Sequence, residues 1–181
     1  TGVFIDNAID LINVHVPPPS KEEMQKAIRK ACEECLSYGI ATVHDMAIDE
    51  KQLALYKELI EDGNLPIRIY AAIDGESDLW KEMAQQGPLP VYGKNMLTVR
   101  AVKYFLDGAL GSRGAALFEP YTDDPGNRGI TTMSAQELKD RVQYAIEHGF
   151  QVCIHAIGDR ANALALDAYE QVTKFHQNKD L

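Results

Sequence analysis

Apolar positions along this chain fall into two alternating patterns: stretches spaced for one face of a helix, and short β-branched runs that suit a strand buried on both sides. PPPS at 17–20 breaks the opening segment, and Ser20 followed three residues later by Glu23 forms a capping box, which predicts a helix running to about Tyr38. Gly39 is placed to stop it, and IATVHD at 40–45 has the composition of a buried strand. A second helix is predicted over Glu50–Asp62 with Gly63 behind it, then a strand over Ile67–Ile73, a short helix in SDLWKEMAQQ and a strand in LTVRAVKYFLD. Beyond a long loop through YTDDPGNRG, Ser134 and Glu137 repeat the capping box, the helix reaches His148, Gly149 stops it, and FQVCIH is the next strand. A last helix is predicted over Arg160–Phe175, and the opening TGVFIDNAIDLINVHV suggests a helix followed by an extended piece.

Such regular alternation of strand and helix implies parallel strands sandwiched by helices, as an open doubly wound sheet or as part of a (βα)8 barrel. A full barrel takes about 250 residues, so 181 residues with strands near 40, 67, 98 and 150 make roughly half of one. The chain opens without a methionine and stops straight after a helical pattern, so the expectation is a single domain over 1–181 belonging to something longer.

Composition narrows the partners. With 45% hydrophobic and 25% charged residues the chain can build a core, and a net charge of -9 without a basic stripe disfavours nucleic acid and anionic membranes. There is no apolar run of about 18 residues and no signal-peptide order at the start, which sets the expectation of a cytoplasmic chain. Three cysteines without a secretory signal are expected to be thiols. Cys32 and Cys35 form C-x-x-C inside a predicted helix with no second pair, a spacing that core packing describes as well as zinc would.

Ligands of parallel α/β sheets collect at the C-terminal ends of the strands, and three of those ends carry chemistry. The first ends in His44 and Asp45, the third holds Lys103 with Asp107 just beyond, and the fourth ends in His155 with Asp159 four residues later. In FQVCIH, Phe150, Val152 and Ile154 share one face while Gln151, Cys153 and His155 share the other. On simple alternation Lys103 shares a face with Val99, Ala101 and Phe105, and an amine in such carbon surroundings turns neutral or finds a partner. A neutral amine can attack a carbonyl to give a Schiff base, or capture carbon dioxide to give a carbamate able to ligate divalent cations.

VKYFLDGALGSRGAALFEPYTDDPGNRG, then FQVCIHAIGDRAN and an ALDAYE helix, with GIATVHDM earlier, resembles the YtcJ-like branch of the amidohydrolase superfamily. The resemblance implies a TIM-barrel, metal-dependent hydrolase acting on carbon–nitrogen bonds of a small-molecule substrate, with this chain supplying about strands two to five. It further implies that Lys103 is a carboxylated, metal-bridging lysine, that His155 is a metal ligand, and that one or two divalent ions, zinc foremost, are the cofactor. The family also carries an H-x-H pair, a further histidine and an aspartate, none of which this sequence matches, so the chain alone is expected to be inactive. An incomplete barrel also leaves sheet edges unpaired, unless the chain forms a homo-oligomer or rearranges.

Other readings stay open. Lys103 could snorkel to the strand end and pair with Asp107, and His155 could be a core histidine bonded to a carbonyl. His44 and Asp45 could line the site, Asp45 suiting equally a role in holding the following loop, while Asp107 and Arg113 could contact substrate or order their region by a salt bridge. Asp159 suits an N-cap. The glycines around Arg113 fit tight turns, DDPGNRG a fixed turn whose acidic pair could help close the site, and His148 and His176 fit helix ends. A Schiff-base lyase built on Lys103, or a non-catalytic α/β binding module, are the alternatives to the hydrolase.

Overall fold

The computed structural model describes Gly2 and residues 6–174, so His176 lies outside the described residues. After a 3-10 turn at Asp6–Ile9 and a short helical turn, α1, at Asp10–Asn13, the elements are α2 Lys21–Ser37, β1 Thr42–Ile48, α3 Glu50–Glu61, β2 Arg68–Asp74, α4 Asp78–Gln86, β3 Leu89–Tyr92, β4 Leu97–Phe105, α5 Ala135–Glu147, β5 Gln151–His155 and α6 Asp159–Thr173. The expected order of strands and helices is present. β3 is an addition, a short antiparallel partner of β4 that has too little alternation of its own to announce it. The sheet order is β1-β2-β4-β3, with β5 also paired to β4, and β1, β2 and β4 run parallel.

The fold divides into two compact units. Among the described residues, one is Pro19–Tyr104 with Ala145–Cys153; the other holds Phe105–Tyr144, Ile154–Lys174 and the described N-terminal residues up to Pro18.

In the first unit the helices start where side chains can satisfy their free N–H groups. Ser20 accepts from the Glu23 amide at 3.3 Å while Glu23 accepts from the Ser20 amide at 2.8 Å, the capping box that the sequence announced. Asp49 and Gln52 do the same for α3. Lys21 ties α2 to α3 through Glu58 at 2.8 Å. Behind the sheet, Ile69, Ala71 and Ile73 of β2 and Leu97, Val99, Val102 and Tyr104 of β4 are buried, as are Leu53, Tyr56 and Leu59 of α3 and Leu79, Trp80 and Met83 of α4. Trp80 meets the ring of Phe150 edge-on at 5.0 Å. Cys32 is buried and Cys35 half-buried, both free thiols, as helix packing requires.

A β-bulge changes which residues share a face. Ala71 pairs with Val99 but Ala72 pairs with Ala101, so Arg100 is the extra residue in β4. Alternation inverts at that point. Val99 therefore lies on the helix-covered side with Val102 and Tyr104, and Lys103 lies on the opposite side, directly across from Asp74 of β2. Simple alternation had put Lys103 beside Val99; the inserted residue separates them. A second irregularity, between Met46 and Ile48, puts Ala47 in the left-handed region at φ 69°.

Tyr56 of α3 donates its hydroxyl to Asp45 of β1, which assigns Asp45 to holding the helix against the strand. Burial first, then the bond to Asp45 and its charge, push the Tyr56 phenol far above its usual range. A phenol held protonated in the fold but ionising near pH 10 when unfolded contributes stability that is complete below that pH and is lost as pH rises past it. The urea midpoint should therefore fall steeply above about pH 10, and Tyr56→Phe should flatten that fall. An identical pH slope in the two proteins would refute it.

In the second unit, the chain leaving β4 is knitted together by backbone bonds. The Leu106 amide donates to the His155 carbonyl at 2.9 Å, and the Thr132 amide donates to the Leu106 carbonyl at 2.9 Å. DDPGNRG is the fixed turn that its composition predicts: the Asp124 amide donates to the Tyr121 carbonyl at 3.1 Å and the Asn127 amide to the Asp124 carbonyl at 2.9 Å. Its acidic pair serves the loop itself, Asp123 pairing with Arg113 and Asp124 accepting from the Asn127 amide side chain. The N-cap of α6 is Gly158, not Asp159. The carbonyl of Ala116 takes the role of a capping side chain, accepting from the amides of Arg160 and Ala161 at 3.1 and 3.3 Å. Asp159 instead accepts from the Phe118 amide at 2.9 Å, tying the loop to the helix.

Candidate functional site

At the end of β5, the His155 side chain is 28% exposed, enough to meet a ligand. Its Nε2 lies 3.7 Å from Oδ1 of Asp107, and its ring tilts against that of Phe105 at 5.7 Å. Asp107 has no exposed side-chain surface and is saturated with backbone donors. Oδ2 accepts from the amides of Ala116 at 2.9 Å and Gly158 at 2.8 Å, and Oδ1 from that of Ile157 at 2.9 Å. A carboxylate so enclosed is an organiser of its surroundings rather than a surface for substrate. Arg113 sits at φ 59° on the loop after β4, its guanidinium forked onto Asp123 at 2.8 and 3.2 Å. That hydrogen bond raises the Arg113 pKa and lowers that of the Asp123 carboxyl. The fork gives Arg113 a role in shaping its loop.

The strands of the first unit present another set. His44 is exposed on β1 and stacks on Tyr70 of β2, ring centroids 4.9 Å apart at 26°. Tyr70 donates its hydroxyl to Gln151 of β5. Register places His44, Tyr70, Asp74 and Lys103 on one face of the sheet. Burial raises the phenol of Tyr70, opposed by the charge of Arg100 and reinforced by Cys153. The Cys153 thiol is likewise pushed up by burial, with the charge of Lys103 working against it. Lys103 is half-buried, and its carbonyl accepts from the amide of Gly75 at 2.9 Å. Tyr70, Gln151 and Asp74 were not singled out in the sequence. Alternation within PIRIYAAID could have raised Tyr70 and Asp74, but nothing local marks Gln151 as the partner of Tyr70.

The donor set fits a metal only in part. Among the described residues no group of three or more His, Cys, Asp or Glu side chains is placed to hold an ion. His155 offers an accessible imidazole, whereas both oxygens of Asp107 already accept from backbone amides. No helix among the described residues is long and apolar enough to cross a membrane.

Alternating strands and helices make this an α/β chain, and solved structures of metal-dependent hydrolases share its fold. It superimposes on an uncharacterized metal-dependent hydrolase of Pyrococcus horikoshii with a TM-score of 0.78 and 36% identity, covering 91% of this chain and 33% of that one. A counterpart from Pyrococcus furiosus gives 0.79 and 33% identity over 92% of this chain and 34% of that one. The sequence profile of the amidohydrolase family matches residues 1–181, and the chain belongs to that family. Among curated relatives it is 33% identical to the putative amidohydrolase YtcJ of Bacillus subtilis, over 94% of this chain and 32% of the relative. It is 31% identical to the protein LONG AFTER FAR-RED 3 of Arabidopsis thaliana, over 99% of this chain and 32% of the relative. The chain thus spans about a third of the length of the curated relatives it matches.

Proposed function

We propose that this chain is the central part of a metal-dependent hydrolase that cleaves carbon–nitrogen bonds in small, non-peptide amides, with His155 and Lys103 among the ligands of its divalent ion. The observation that carries the proposal is the family match over the whole chain, on which His155 ends β5 with an accessible imidazole beside a pinned carboxylate. Zinc is the ion proposed, imidazole nitrogen and carboxylate oxygen both being ordinary ligands for it. Polarisation of the amide carbonyl and a lowered pKa for water are what such an ion supplies when bound.

The chain's own residues would prepare the site. Lys103 would react through its neutral amine: Nζ bonds to the carbon of carbon dioxide, a proton leaves to solvent, and the amine becomes an anionic oxygen donor. Its half-buried position across from Asp74 keeps it within reach of dissolved carbon dioxide. His44 and Tyr70, stacked on the same face, offer an aromatic surface for the organic part of a substrate.

The test uses the protein that carries this chain, loaded with zinc and offered a panel of N-acyl amines, ureas and cyclic amides. Ammonia or amine release that disappears with a chelator and returns with zinc is expected. Turnover untouched by chelation, or a lysine adduct trapped by borohydride with a carbonyl substrate, would move the protein to the Schiff-base alternative.

A further inference from the structure

We infer that Asp107 is a positioning residue for His155: its buried carboxylate holds the backbone that follows His155 and faces one ring nitrogen, fixing how the imidazole is presented. This rests on the reading of His155 as a metal ligand.

The bonding pattern is local and redundant. Leu106 and Asp107 are adjacent, and between them they hold the His155 carbonyl and the backbone that follows it. The Leu106 amide holds the His155 carbonyl at 2.9 Å, while Asp107 accepts from Ile157 and Gly158, two and three residues further on, at 2.9 and 2.8 Å. The remaining donor, Ala116 at 2.9 Å, brings in the far end of the glycine-rich loop. With three amides on two oxygens and no exposed side-chain surface, the carboxylate has little freedom to turn. Its Oδ1 is therefore a fixed negative point 3.7 Å from Nε2 of His155. A charge at that range favours the tautomer protonated on the facing nitrogen and leaves the other lone pair for a ligand, as carboxylates behind metal-bound histidines do. The ring of Phe105, tilted at 42° to the imidazole, narrows its rotation further. A backbone clamp alone needs only an acceptor; the negative charge beside the ring is what a clamp does not require.

The measurement is zinc affinity per folded molecule, by competition against a chromophoric chelator, in the protein that carries this chain and in Asp107→Asn and His155→Ala. Asparagine keeps one acceptor oxygen and removes the charge. Asp107→Asn that folds, by near-ultraviolet circular dichroism, yet binds zinc roughly 10–100-fold more weakly is the expected result. Folded Asp107→Asn with the parent's affinity would overturn the inference, and with His155→Ala losing the ion it would overturn that inference alone. His155→Ala with unchanged zinc affinity would fell the ligand reading and the inference with it. Should Asp107→Asn not fold, the 15N spectrum of the His155 ring in the parent protein decides: a proton on Nε2 upholds the positioning role, and a proton on Nδ1 refutes it.

Discussion

Lys103→Ala in the protein that carries this chain should, on the function proposed above, lower carbon–nitrogen hydrolysis by about a thousandfold or more, because it would remove a ligand on which activation of water would depend. Thermal or urea stability should move by less than about 1 kcal/mol. Two structural features motivate that split. The bulge at Arg100 takes Lys103 off the helix-covered side, where Val99, Val102 and Tyr104 form the core, so truncation opens no cavity there. Lys103 is also only half-buried, so its removal costs little packing. If the lysine works as a carbamate, Lys103→Arg should be as inactive as Lys103→Ala, since a guanidinium captures no carbon dioxide. Formate or acetate, small enough to occupy the space vacated in Lys103→Ala, should restore part of the rate. A Schiff-base lysine would be rescued by small amines and not by carboxylates. A Lys103→Ala protein that retains parent activity would remove this residue from the site altogether.

Gly158→Ala should be among the most damaging single substitutions in the fold, at about 3 kcal/mol, the upper end of overpacking costs. Gly158 needs no special backbone conformation, its φ of -67° being open to any residue. The obstacle is space. A Cβ there would stand 1.9 Å from the carbonyl oxygen of Ala116 and 2.4 Å from its carbon, both main-chain atoms that cannot swing aside. That same carbonyl caps α6, so relieving the collision would uncap the helix and loosen the amide of Gly158 from Asp107. Gly111 is the control: a Cβ built on it meets nothing within 4 Å, and Gly111→Ala should stay within about 0.5 kcal/mol of the parent. Urea unfolding of the pair checks both, and equal midpoints for Gly158→Ala and the parent would show that the loop yields where its geometry says it cannot.

Helix starts were legible because a capping box is a local event: Ser20 and Glu23 satisfy each other within four residues, whatever the rest of the chain does. The face split was legible at the start of β5, where Phe150 turns to Trp80 while Gln151 turns to Tyr70. Lys103 was placed on the right strand with Ala101 and Phe105 on its face, but Val99 was wrongly put there too. An extra residue at Arg100 inverts the alternation, and no sequence signal separates a bulge from an ordinary strand residue there. Asp159 was a reasonable N-cap by residue type, but a carbonyl 43 residues earlier in the chain, that of Ala116, had already met the helix's need.

The sequence by itself determined the strand-and-helix order, the family and the residue types at the strand ends, because these rest on periodicity and on long matched phrases. Only the tertiary structure decided what Asp107 is for. A carboxylate two residues past a strand can face solvent, substrate or protein with equal ease, and its three amide donors come from segments 9, 50 and 51 residues away. Desolvation makes that choice: once the side chain is enclosed, an ionised carboxylate survives only where fixed donors replace its water, and the folded loops supply them.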